Sequence, residues 1–149
     1  MNHPLIFICS PRRFAQIFDL TEAVGFSRLD IPLGCQPLRG DVETNTRNAR
    51  RYCRFAITHR ANRISPDAKL QNGIPFAPHL LFTQFLNDDD PIERRVGLCL
   101  GVEMLKRCDE LWTFGQPTEG MAQEIQEAKR LGTRIRRFDA SCQEVAGDE

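Results

Sequence analysis

The sequence lacks net charge: 20 basic and 20 acidic residues cancel over 149 positions. Proteins that bind nucleic-acid polymers usually carry a clear basic excess, so no such polymer is the expected partner. No apolar run approaches the roughly 20 residues that cross a bilayer, and no membrane association is expected. The first apolar run, Leu5 to Cys9, is shorter than a secretory signal core, and no basic segment precedes it. Cys-x-x-Cys pairs are missing and the three histidines are scattered, so zinc-ligand spacing is absent and no metal is expected. The six cysteines, at 9, 35, 53, 99, 108 and 142, then read as reduced, mostly buried small apolar side chains of a cytoplasmic protein. Neither Gly-Lys-Ser/Thr nor Gly-x-Gly-x-x-Gly occurs, which excludes a Walker loop and the dinucleotide fingerprint, and no cofactor is expected. Internal repeats and low-complexity segments are absent as well.

What is present suits one domain over residues 1–138 followed by an acidic tail, 139–149. At 17.0 kDa, folding should bury about two thirds of the unfolded surface, enough for a core without disulfide or metal staples. The charge is uneven along the chain. Seven arginines fall between Arg39 and Arg63 (39, 47, 50, 51, 54, 60 and 63), and Asp88, Asp89 and Asp90 make a short acidic run. Arginine is the better planar partner for phosphate, so a phosphorylated small ligand is one reading of the block; a solvated helix face is the other.

Leu5-Ile6-Phe7-Ile8-Cys9 reads as a strand buried on both faces, as in a parallel sheet. A short helix is expected near 12–23 from Phe14, Ile17 and Phe18, after which Gly25, Pro32, Gly34 and Pro37 impose turns, so 12–36 reads as an insertion. Asp41 can cap a helix running from about 42 to 59, with Val42, Ala49, Cys53, Ala56 and Ile57 on its inward stripe. Ile74 to Ala77 is a strand that Pro75 and Pro78 make short or near an edge, and Leu80 to Leu86 forms a helical turn. Asp90-Pro91-Ile92-Glu93 predicts a helix start: Asp caps, Pro takes the first position, and Glu sits three after the cap. Its apolar face reads as Ile92, Val96, Cys99, Leu100 and Met104, to about Arg107. Leu111 to Phe114 is the third strand. Glu119 to Leu131 is a helix with Met121, Ile125, Ala128 and Leu131 inward and Gly132 as its stop, and Arg134 to Phe138 is the last strand. Strands alternating with helices predict an α/β fold, a Rossmann-like (flavodoxin-like) parallel sheet flanked by helices.

In such sheets ligands bind beyond the carboxyl ends of the strands. Ser10-Pro11, with Arg39-Gly40 leading into a helix, can hold an anion on free N–H groups or be a tight turn plus a cap. Glu124, in the first turns of the 119–131 helix, can attack an electrophilic carbon or act as a base; it can equally be a glutamate that favours the helix dipole. His79, just past a strand end, can touch a ligand or pack beneath a loop. The aspartate run reads as a cap plus solvated acids, not a cation site.

Taken together, Ile8-Cys9-Ser10-Pro11, Arg39-Gly40-Asp41-Val42-Glu43, Tyr52-Cys53-Arg54-Phe55-Ala56, Ala77-Pro78-His79-Leu80-Leu81-Phe82, Cys108-Asp109-Glu110-Leu111-Trp112 and Gly120-Met121-Ala122-Gln123-Glu124-Ile125 resemble the nucleoside 2-deoxyribosyltransferase-like family. That family includes deoxynucleoside 5′-monophosphate N-glycosidases and sits in a wider Rossmann-like group with lysine-decarboxylase-like proteins. The likeness is closest to its short, uncharacterised bacterial and phage members and spans residues 5–11 and 37–138. The resemblance implies cleavage or transfer at the N-glycosidic bond of a nucleoside or nucleoside monophosphate. Glu124, four after Gly120, would be the nucleophile. Thr118 would hold the monophosphate, Ser10 with Arg39 and Gly40 would form the phosphate-side loop, and His79 matches a histidine after the second strand. A small-molecule nucleotide or nucleoside is the implied partner, and a homo-oligomer the implied assembly. Two departures stand out. Family enzymes often carry an aspartate about one helix length before the third strand, where this chain has Gly101, and residues 12–36 interrupt a loop that is short in the relatives. Without that acid, a non-catalytic module that binds a nucleotide derivative is the alternative expectation.

Overall fold

The computed structural model describes residues 3–11, 42–58, 73–87 and 89–146. In chain order these hold β1 (Leu5–Cys9), α1 (Val42–Thr58), β2 (Ile74–Phe76), α2 (Pro78–Leu81) with a 3₁₀ turn at Phe82–Gln84, α3 (Pro91–Leu105), β3 (Glu110–Phe114), α4 (Glu119–Leu131) and β4 (Arg134–Phe138). The four strands form one parallel sheet in the order β2-β1-β3-β4, the α/β Rossmann-like arrangement expected from the alternation of elements. β1 is central, and Ile6, Phe7, Ile8 and Cys9 are each at most 1% exposed, which is why this strand is an unbroken apolar run. The proline-flanked β2 is an edge strand, as its composition predicts. Gly73 precedes it: a Cβ there would stand 2.5 Å from Ile6 Cδ1 and 2.6 Å from the Pro4 carbonyl oxygen, so only glycine lets the chain enter beside β1.

Successive β1 side chains point to opposite faces and split the core in two. Ile6 and Ile8, with Trp112, Phe114 and Phe138, meet α1; Phe7 and Cys9, with Leu111, meet α3 and α4. α1 buries Ala49 and Ala56 of the stripe its sequence suggests, but the buried face is rotated from it. Asn45, Ala49, Tyr52, Phe55 and Ala56 are buried, while Cys53 and Ile57 are only half-buried. The two rings decide the rotation: Tyr52 stacks on Phe114 at 4.2 Å, and Phe55 stands edge-on to Phe138 at 5.3 Å. Arg47, Arg50 and Arg54 are consequently exposed, and Arg51 packs over the Tyr52 ring while donating to the Ala140 carbonyl.

α3 starts as predicted, with Asp90 Oδ1 accepting from the Ile92 and Glu93 amides at 2.8 and 3.4 Å. Its inward face is different from the expected one: Gly101, Val102 and Leu105 are buried, whereas Ile92, Val96 and Leu100 face out. α4 buries Met121, Ile125 and Ala128 as predicted, but Leu131 is 38% exposed. The helix stops at Gly132, which adopts φ 74°, the left-handed conformation that glycine takes without steric cost. The acidic segment after β4 turns back on the sheet: Val145 N donates to the Arg137 carbonyl, Arg136 makes two hydrogen bonds to Glu144, and Cys142 is buried in the α1-side core. No helix among the described residues is long and apolar enough to cross a membrane.

Candidate functional site

β1 and β3 are neighbours in the middle of the sheet, and α1 and α4 cover its opposite faces. Doubly wound sheets bind ligands at the carboxyl ends of such strands. Ser10 follows β1 at this edge. It is 6% exposed, and its Oγ is buried without a hydrogen-bond partner, an arrangement that costs stability unless something else satisfies it. β3 leads through the turn at Gly115 into Thr118, the N-cap of α4, whose Oγ1 accepts from the Met121 amide at 3.3 Å. The Thr118 hydroxyl proton is still available to donate. Gly120 lies half-buried in the first turn of this 13-residue helix.

Glu124 is one turn further along α4 and half-buried. It lines a cavity with Phe7 of β1, Pro78 of α2, and Gly97, Leu98, Gly101, Val102 and Leu105 of α3. The cavity volume is about 20 Å³, room for one water molecule. The two glycines leave part of the α3 wall bare, and a Cβ on Gly101 would meet Pro78 Cβ at 3.7 Å, ordinary van der Waals contact. Gly101, where the resemblance leads one to expect an aspartate, thus lies in the same cavity as Glu124.

Three neighbours escape spacing arguments. Cys9, Thr113 and Arg137 are register partners across β1, β3 and β4 and share the α4 side of the sheet at its carboxyl edge. Cys9 is fully buried and its Sγ lies 3.8 Å from the Met121 carbonyl oxygen, one turn before Glu124. Burial, and next the Glu124 carboxylate, push the Cys9 thiol well above its ordinary range, while the Arg137 charge opposes them. The thiol is therefore protonated at neutral pH and is no nucleophile. Arg137 is half-buried and forms no ion pair among the described residues. The signal available in the sequence was the alternation of β1, which turns Cys9 away from Ile8 and toward the Glu124 helix.

Of the residues singled out by sequence, Ser10 follows β1 and Thr118 and Gly120 follow β3, at the ends of neighbouring strands, while Glu124 lines the cavity against α3 without them. His79 is buried at the start of α2; its neighbour Pro78, not His79 itself, lines the Glu124 cavity. Arg39 and Gly40, the Asp41 cap and the 12–36 insertion lie outside the described residues. The described arginines of α1 are on the other face of the sheet from Glu124.

The fold and this region define an α/β protein with a carboxylate in a small cavity between the sheet, α2 and α3. Residues 58–138 match a family described as a domain of unknown function (DUF7768). The match covers more than half of the chain, from the end of α1 through β4, and the chain belongs to this family. It includes His79, Gly101, Thr118, Gly120 and Glu124 and leaves out Ser10, Arg39 and Gly40. No curated protein and no solved structure matches the chain.

Proposed function

We propose that this protein cleaves or transfers at the N-glycosidic bond of a nucleoside or nucleoside monophosphate, with Glu124 as the nucleophile. The observation that carries the reading is that Glu124, the residue matched to a nucleophile by resemblance, lines a cavity between the sheet, α2 and α3 rather than facing solvent on an outer helix surface. In the reaction a Glu124 carboxylate oxygen forms a bond to C1′ as the C1′–N bond breaks. The bonding pair leaves with the base, which takes a proton from solvent. Water or a second base then attacks C1′ and releases the carboxylate. The unsatisfied Ser10 hydroxyl, the Thr118 hydroxyl and the free amides of the α4 first turn suit a phosphate, and Arg137 adds a cation beside the one expected at Arg39.

A pentose is larger than the cavity, so binding requires Pro78 and the Leu98–Gly101 wall of α3 to draw back. Gly101 brings no acid to protonate the leaving base, a contribution typically worth about 10²–10⁴-fold, so turnover is expected to be slow. These two features favour a second reading, a nucleotide-binding module without turnover. The test is free-base release from a panel of ribo- and deoxyribonucleosides and their monophosphates, with wild type and Glu124→Ala side by side. Base released by wild type alone is the expected result. No release by a folded wild type, with a nucleotide-dependent rise in melting temperature, would replace the enzyme reading by the binding module.

A further inference from the structure

Cys9 ends β1 on the face of the sheet that α4 covers, packed with Met121 and Ile125. Its side chain has no access to solvent, and its Sγ lies 3.8 Å from the Met121 carbonyl oxygen. Helical side chains lean toward the N-terminus of their helix, so the Glu124 side chain reaches back over the turn that begins at Met121. That places the carboxylate beside the thiol. The Cys9 proton is held there by burial first, then by the Glu124 charge, then by a hydrogen bond to Glu124. One S–H proton thus faces two acceptors. The Met121 carbonyl lies inside α4, where the helix already supplies it with the Ile125 amide. The carboxylate is charged, and a charged acceptor makes the stronger bond.

We propose that Cys9 is a positioning residue: its thiol donates to one oxygen of the Glu124 carboxylate and leaves the other free to attack C1′. The inference rests on the reading of Glu124 as the nucleophile and adds what aims it. A glutamate side chain is long and turns freely, and the other side chains that line its cavity are apolar. A bond to β1, the buried centre of the sheet, holds the carboxylate on one side and selects its orientation toward the cavity. The thiol suits this task because it is a weak donor. It holds the anion while withdrawing little of the charge that the attack needs. A protonated thiol is also inert toward the sugar, so it does not compete with the residue it positions.

Two measurements test this, and the first needs no turnover. The S–H stretching band of Cys9 is identified in Raman spectra as the band lost in Cys9→Ala or Cys9→Ser. It is expected at lower frequency in wild type than in Glu124→Gln, where a neutral acceptor replaces the charged one. A Cys9 band at one frequency in both proteins would overturn the proposal, whatever the activity. The second measurement is base release from the most active nucleotide of the panel, with circular dichroism as the check on folding. Cys9→Ala should lower kcat about tenfold with little change in KM, and Cys9→Ser, which returns a donor, should recover most of that loss. Packing alone predicts the opposite order, because a buried hydroxyl costs more than a methyl group at an apolar position. A folded Cys9→Ser no faster than Cys9→Ala would therefore also overturn the proposal. No base release from any nucleotide, with a Cys9 band that still moves in Glu124→Gln, would uphold the thiol–carboxylate bond and remove only the catalytic reading of Glu124.

Discussion

Cys9 and Glu124 are neighbours of different character. Burial, and next the carboxylate, hold the thiol in its neutral form, so the proposed reaction is assigned to Glu124 and not to Cys9. The thiols of half-buried Cys53 and buried Cys108 behave alike: loss of solvent pushes Cys53 up to about 11, and burial with the Asp109 charge pushes Cys108 up to about 12. Thiols of an unfolded chain ionise near pH 8.5. Between that value and the folded values the unfolded state therefore binds fewer protons than the native one, and stability falls as pH rises. The contribution is complete below about pH 8.5 and is lost progressively toward pH 11 to 12. The melting temperature is expected to drop across this alkaline range, and the drop should be shallower in Cys108→Ala. Parallel pH profiles of the two proteins would contradict this account of the buried thiols.

Glycine has its largest consequence at the level of α3. Gly97 and Gly101 bring the helix wall close to Leu86 and Pro78 and leave the cavity open beside Glu124. Gly101→Ala adds a methyl group at ordinary contact distance and removes the entropic cost of a mid-helix glycine, so a gain of about 0.5–1 kcal/mol is expected in denaturant unfolding. The same methyl narrows the space a sugar would need, so base release should fall while stability rises. A destabilised variant would contradict an ordinary contact between Gly101 and Pro78. The glycines also explain why the face of this helix is misread from sequence. Large apolar side chains are normally taken as the buried ones, but here Gly101, Val102 and Leu105 pack inward and the bulkier stripe is outside. In α1 the small residues suggest one stripe, and the aromatic stacking of Tyr52 and Phe55 turns the helix to another. Helix ends, by contrast, follow from local chemistry: Asp90 and Gly132 cap as predicted, and the structure adds Thr118, a residue type that suits an N-cap.

At the scale of the molecule, the alternation of strand and helix was enough to predict a parallel α/β sheet, because β1 is apolar throughout and β2 is limited by its prolines. The candidate site was legible where it depends on one segment: Glu124 follows from a strand, a turn and a helix start, and Thr118 from the resemblance. It was not legible where it depends on register, since nothing in the spacing of Cys9, Thr113 and Arg137 says that they share one level of the sheet. The folding back of the acidic segment was hidden for the same reason, because Cys142 and Glu144 find their places through β4 and α1. The central claim is that Glu124 forms a covalent bond to the sugar, and the direct measurement is mass spectrometry of peptides from an acid-quenched reaction with the most active nucleotide of the panel. The account predicts a glycosyl adduct on the peptide that contains Glu124, absent from Glu124→Gln. A sugar attached to another residue, or base release that persists in Glu124→Gln, would contradict it.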